Sequence, residues 1–325
     1  MAERRALSSV ADVSLALVVV LAGVGVFVAF LDAEEGEHDP TRADQTAETL
    51  GASTLNVTYS LEPVLETDSE YVPAVGADDA PYDLADLERS THGSTMGHVA
   101  RAALADTRFT AGHGGVYPLA VGEGYAETLE ERLLVSLVGA HFATNVTAVW
   151  EPFEGASVRG VAAFGQPVPH AAERSVVRTT VASELPAARE DALSAVESAD
   201  NESDGTESDD YEAVARAVAD ALVNGTLGNT QRQLETTGVE RAVVVSRYLR
   251  FADAIEGVSR GAIEDDLPRP QADATAMTSR LTDALAVQLR SELAATFETA
   301  REAAAAVSTG AVTVAVTTWK QSGDP

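Results

Sequence analysis

The chain has 325 residues, of which 51 are acidic and 22 basic, giving a formal net charge of -29, and 45% are hydrophobic. So large an acidic excess makes nucleic acid and anionic lipid poor partners for the folded part, and the apolar content is too high for a disordered polyanion. Cysteine is absent, which excludes disulfides and thiolate metal sites. All the basic residues except Lys320 are arginine, and a carboxylate surface this dense is tolerated where molar salt cuts the screening length to about 3 Å.

In chain order, the first feature is Val13 to Leu31, VSLALVVVLAGVGVFVAFL, in which Ser14 is the only polar side chain. As a helix it covers roughly 28 Å, close to the hydrocarbon thickness of a bilayer. Arg4 and Arg5 precede it and Asp32, Glu34 and Glu35 follow, an asymmetry that keeps the N-terminus in the cytoplasm and sends the rest outside. The expected organisation is therefore a cytoplasmic stub with a transmembrane or pilin-like helix over residues 1–31 of the cell membrane, then an acidic extracellular domain over 32–325. An uncleaved anchor, trimming near the N-terminus and removal as a signal peptide are three open fates; the long apolar run and the lack of an A-x-A site speak against the last.

Arg5-Ala6-Leu7-Ser8-Ser9 followed by a long apolar helix resembles the N-terminus of archaeal type IV pilins and pseudopilins. The resemblance implies peptidase cleavage between Ala6 and Leu7 and packing of the helix with other pilin-like subunits. Asp12 at the helix start would then be an assembly contact, pairing with the free amine of a neighbouring trimmed chain. Ser9 replaces the proline common at that place. The segments LERSTHGS and VWEPFEGASVRG further resemble an uncharacterised haloarchaeal membrane-protein family whose genes sit beside pilus or secretion ATPase and platform genes. That resemblance implies a class of partner and transfers no catalytic residue.

After a charged connector, Thr41 to Leu50 reads as a short helix, and Leu55, Val57, Tyr59 and Leu61 alternate with polar residues as a strand with one buried face. Residues 64–81 read as loop. From Leu87 a short strand end is expected and then a helix containing Met96, Val99, Ala103 and Leu104, followed by an amphipathic helix from Tyr125 to Phe142 with Leu129, Leu133, Leu134, Leu137, Val138 and His141 on its apolar side. Strands are expected at Asn145 to Phe153, Val158 to Phe164 and Ser175 to Ala182, with the spacing of an antiparallel meander. Pro186 to Ser198 is expected to be helical, Glu197 to Asp210, with seven acids and no basic residue, to be a solvated loop. Helices follow from Tyr211, from Glu240 to Glu256 and, longest, from Asp273 to Val307, whose Met277, Leu281, Leu285, Leu289, Leu293 and Phe297 recur every four residues. Such a stripe drifts around the helix, so one flat partner cannot cover it. Val312, Val314 and Val316 alternate in a closing strand. The fold class expected is α+β: one N-terminal transmembrane helix followed by an extracellular domain with a small antiparallel sheet packed by helices.

Four of the five asparagines, Asn56, Asn145, Asn201 and Asn224, begin an N-x-S/T sequon and are candidate N-glycosylation sites on an extracellular face. His92, His98 and His113 form the densest histidine group, at a spacing that fits no zinc template. Gly257-Val258-Ser259-Arg260-Gly261 matches G-x-S-x-G but follows a helix where a nucleophile elbow needs a strand. Gly122-Glu123-Gly124 lacks the third glycine of a phosphate loop. No catalytic, cofactor or metal residue is singled out, and no cofactor is expected. The reading is a non-enzymatic accessory or minor pilin-like component of a surface pilus or secretion machine. The rivals are a membrane-anchored solute-binding or sensory ectodomain, which requires a pocket with converging polar groups, and a surface hydrolase using Ser259.

Overall fold

Period-two alternation, aromatic side chains and well-placed caps produce two antiparallel sheets and a helical layer. The computed structural model describes residues 41–66, 70–72, 83–109, 122–137, 142–170, 172–200, 207–268 and 270–320. In chain order the elements are α1 (Arg42–Ala52), β1 (Thr54–Ser60), α2 (Glu62–Leu65), a 3-10 turn (Leu84–Leu87), β2 (Glu88–Ser94), α3 (Thr95–Ala105), β3 (Arg108–Phe109), α4 (Gly122–Leu137), β4 (Phe142–Trp150), β5 (Val158–Gly165) and β6 (Arg174–Ala182). There follow α5 (Arg189–Asp200), α6 (Glu207–Leu227), α7 (Gln231–Glu235), α8 (Val239–Ala254), α9 (Arg260–Glu264), α10 (Ala274–Thr296), α11 (Ala300–Ala306) and β7 (Ala311–Lys320).

β1 and β2 pair antiparallel from Thr54 opposite Ser94 to Ser60 opposite Glu88. The larger sheet has the order β3-β5-β4-β7-β6, antiparallel throughout. This corrects the expected meander: β6 does not pair with β5, and β7 enters between β4 and β6. Its Val312, Val314 and Val316 are fully buried, so it is the strand best suited to the middle of the sheet. One side of this sheet carries α3, whose backbone comes so close to Gly160 of β5 that a methyl group there would overlap the Ala103 carbonyl.

The expected membrane-spanning helix is also corrected. Among the described residues no helix is long and apolar enough to cross a membrane. The two longest, α6 and α10, keep charges on their outer faces, with Glu212, Arg216 and Asp220 exposed on one and Arg280 and Asp283 on the other. Val13 to Leu31, where that expectation fell, lies outside the described residues. The α+β class and the antiparallel pairing are those of the structure, with two sheets instead of one small one.

Two helix boundaries also differ from the sequence reading. Phe142 opens β4 and does not end a helix, in keeping with the aromatic and β-branched run it leads, and the strand stops at Trp150, two residues before Pro152. The single helix expected over Asp273 to Val307 is broken: Phe297 is extended, and Thr299 caps α11 by accepting from the Glu302 amide at 3.2 Å. The Phe297 carbonyl freed by the break accepts from the Tyr211 hydroxyl at 2.8 Å. Within α10 the line Met277, Leu281, Leu285, Leu289 and Leu293 is fully buried, mainly against α6, with α7 and α8 also in contact. Residues 197–200 form the last turn of α5 and 207–210 the first turn of α6, which shortens the segment read as an acidic loop; 201–206 lie outside the described residues.

Candidate functional site

Ser94 ends β2 and caps α3, its hydroxyl accepting from the Gly97 amide at 3.1 Å. The first turns of α3 then direct His98 and Arg101, three residues apart, toward β1 and α4. His98 is 1% exposed. Its Nε2 lies 3.1 Å from the Leu55 carbonyl, which only accepts, so Nε2 carries the proton and Nδ1 accepts from the Tyr125 hydroxyl 2.6 Å away. Burial lowers the His98 pKa and raises that of Tyr125, so both are held uncharged. The Arg101 guanidinium donates through Nε to Glu184 at 3.0 Å and through Nη2 to the same carboxylate oxygen, and its pKa is raised chiefly by that bond.

This network forms part of the wall of a cavity of about 400 Å³ at the meeting of β1, α3, α4, the β6–α5 connection, α6 and α8. Aromatic rings make up much of the rest. Tyr59 and Tyr125 meet edge to face at 5.3 Å between centroids, and Phe109 and Phe251 at 6.1 Å. Trp150 lines the cavity while its Nε1 donates to the Thr309 carbonyl at 2.9 Å. Thr309 is buried and its hydroxyl accepts from the Ala188 amide at 2.9 Å, so it braces the segment that presents Glu184 and Leu185. Gly225, also in the wall, lets α6 approach that segment; a methyl group there would lie 2.6 Å from Pro186 Cδ and 2.8 Å from Leu185 Cδ2.

α8 contributes Arg247 and Phe251 to the wall. The helix is apolar on nearly every side, so its three arginines are drawn inward. Arg241 donates to the carbonyls of Leu234 and Leu267, and Arg250 to those of Pro63 and Glu66. These acceptors lie at or near helix ends, where unpaired carbonyls collect. Arg247 is different: it has no hydrogen bond or ion pair among the described residues, and its Nε is buried without a partner. Burial lowers its pKa, and the Tyr59 phenol works against that shift.

The residues singled out from sequence do not converge on this cavity. Ala6, Leu7 and Asp12 lie outside the described residues, as do Asn201, His113 and His141. Asn56 is exposed on β1 and accepts from Ser90 at 3.0 Å; Asn224 is exposed on α6 and donates to Asp220 at 2.6 Å. Asn145 sits in an interior strand, its Nδ2 donating to the Gln166 carbonyl at 3.0 Å and its Oδ1 accepting from Thr147 at 2.7 Å. Ser259 is the N-cap of α9, accepting from the Ala262 amide at 3.2 Å. His92 is exposed on β2, and no three histidine or carboxylate side chains among the described residues are grouped to hold a metal ion.

With that geometry in view, comparison with known proteins matches the chain to a family of unknown function, DUF7284, whose model covers residues 11–319. The chain belongs to that family. No curated protein and no solved structure matches it. The DUF7284 match takes in every residue of the cavity, but the family's description names no activity and draws no link to pili or secretion. Sequence reasoning missed Arg101, Tyr125, Glu184 and Arg247. Only Arg247 carried a local signal: in AVVVSRYLRFA an arginine inside a helix apolar all round has to be buried with it.

Proposed function

We propose that this protein is a solute-binding domain that takes a small molecule into the cavity between α3, α6 and α8. The observation that carries this reading is the cavity itself: about 400 Å³, walled by Tyr59, Phe109, Tyr125, Trp150 and Phe251 together with the charged Arg101 and Glu184. That size and mixture are typical of small-molecule sites, in which apolar surface supplies affinity and a few fixed polar groups supply orientation. The polar groups are preorganised. Arg101 is tied to Glu184, and Tyr125 to His98, before any ligand arrives, so little side-chain entropy remains to be lost on binding. Binding, not turnover, suits the His98–Tyr125 pair, because His98 spends its second nitrogen on a backbone carbonyl and burial disfavours its charged form.

The experiment is a thermal-shift screen of small solutes in molar salt, run on the wild type and on Thr226→Trp, which enlarges a partly exposed residue of the cavity wall. Solutes that raise the wild-type melting temperature should leave the variant unmoved. A library that shifts neither protein, or both equally, contradicts the reading.

A further inference from the structure

We propose that Arg247 anchors the acid group of a monocarboxylate whose flat apolar body lies against the aromatic wall of the cavity. The inference rests on the solute-binding reading above and specifies what is bound.

Three observations carry it. Arg247 lines the cavity and has no hydrogen-bonding or ionic partner among the described residues, with Nε shielded from solvent. A guanidinium presents a planar fork of donors that matches a carboxylate, and leaving it unpaired in a low-dielectric wall is unfavourable. The same helix shows what an inward arginine otherwise does: Arg241 and Arg250 are each satisfied by two backbone carbonyls. Finally, the charges around the cavity are Arg101, Glu184 and Arg247, and the first two neutralise each other. One positive charge remains. A singly charged anion balances it, whereas a dianion would leave an excess negative charge near Glu184. Tyr59, whose phenol favours the charge of Arg247, packs edge to face with Tyr125 in the same cavity wall, an aromatic surface against which a flat body packs.

The probes are phenylacetate and phenylacetamide, nearly identical in shape and different in charge, titrated calorimetrically against the wild type, Arg247→Met and Arg247→Lys. Circular dichroism confirms that each variant is folded. The wild type should prefer the acid by about tenfold or more, the worth of a charge-assisted hydrogen bond, and Arg247→Met should reduce the preference to near unity, with Arg247→Lys between. Equal affinity for acid and amide in the wild type overturns the anchoring role while leaving solute binding intact. An acid preference that survives in Arg247→Met places the anchor elsewhere. Each titration is run in sodium sulfate and in sodium chloride; a preference seen in sulfate and lost in chloride shows that Arg247 serves inorganic chloride, which overturns the carboxylate assignment. No binding of either probe, together with a silent solute screen, contradicts the underlying reading as well.

Discussion

His98 shows how one side chain sets a pH dependence. Buried beside Tyr125 and bonded to the Leu55 carbonyl, it has a pKa below the ordinary 6.5, because the folded protein resists putting a charge there. The unfolded chain therefore takes up a proton near pH 6.5 that the folded chain refuses, and stability falls as pH drops through that value, levelling off below the lowered folded pKa. Denaturant melts of wild type and His98→Gln between pH 7 and pH 5 check this: the wild type should lose more stability over that range than the variant. A parallel decline would show that His98 does not titrate differently in the two states. Gly225 gives a steric counterpart. Gly225→Ala pushes a methyl into Leu185 and Pro186, so it should destabilise by about 1–3 kcal/mol, read from the shift of the denaturant midpoint at unchanged slope.

At the scale of elements, the break between α10 and α11 depends on the Thr299 cap. Thr299→Ala should cost about 1 kcal/mol by chemical denaturation, and an unchanged midpoint would mean the break is held by packing alone. This boundary was written in the sequence as Thr299-Ala300-Arg301-Glu302, the T-x-x-E signature of a helix start, but an unbroken apolar repeat through Phe297 overrode it. The strands and most helices were legible because burial on one face imposes a period of two or 3.6 on the side chains. Strand order was not legible. Nothing local in Val312 to Thr317 says that it pairs with both β4 and β6, because that outcome depends on which strand buries best when the sheet closes. The cavity was hidden for the same reason: Tyr59, Arg101, Glu184 and Arg247 come from four separate elements or connections, and no spacing joins them.

For the whole molecule, the excess of 29 negative charges sets the conditions under which the fold is stable. Ion pairs among the described residues, such as Arg216 with Asp283 at 2.6 Å, are largely exposed, and with 51 acidic residues against 22 basic ones net repulsion should dominate at low ionic strength. The melting temperature should rise on going from about 0.1 M to molar salt as the screening length falls from about 10 Å to about 3 Å; a salt-independent value would contradict the repulsion argument. Against this acidic background an arginine left without a partner beside a cavity is the feature that most needs a ligand to account for it. The central claim is that Arg247 is held there for a bound solute at a cost to the empty protein. The most direct measurement is the melting temperature of ligand-free Arg247→Met in molar salt. Removing an unpaired charge from the wall should raise it by roughly 2–4 °C for each kcal/mol gained, whereas a fall would show that Arg247 belongs to the structural frame and that the cavity is not built around it.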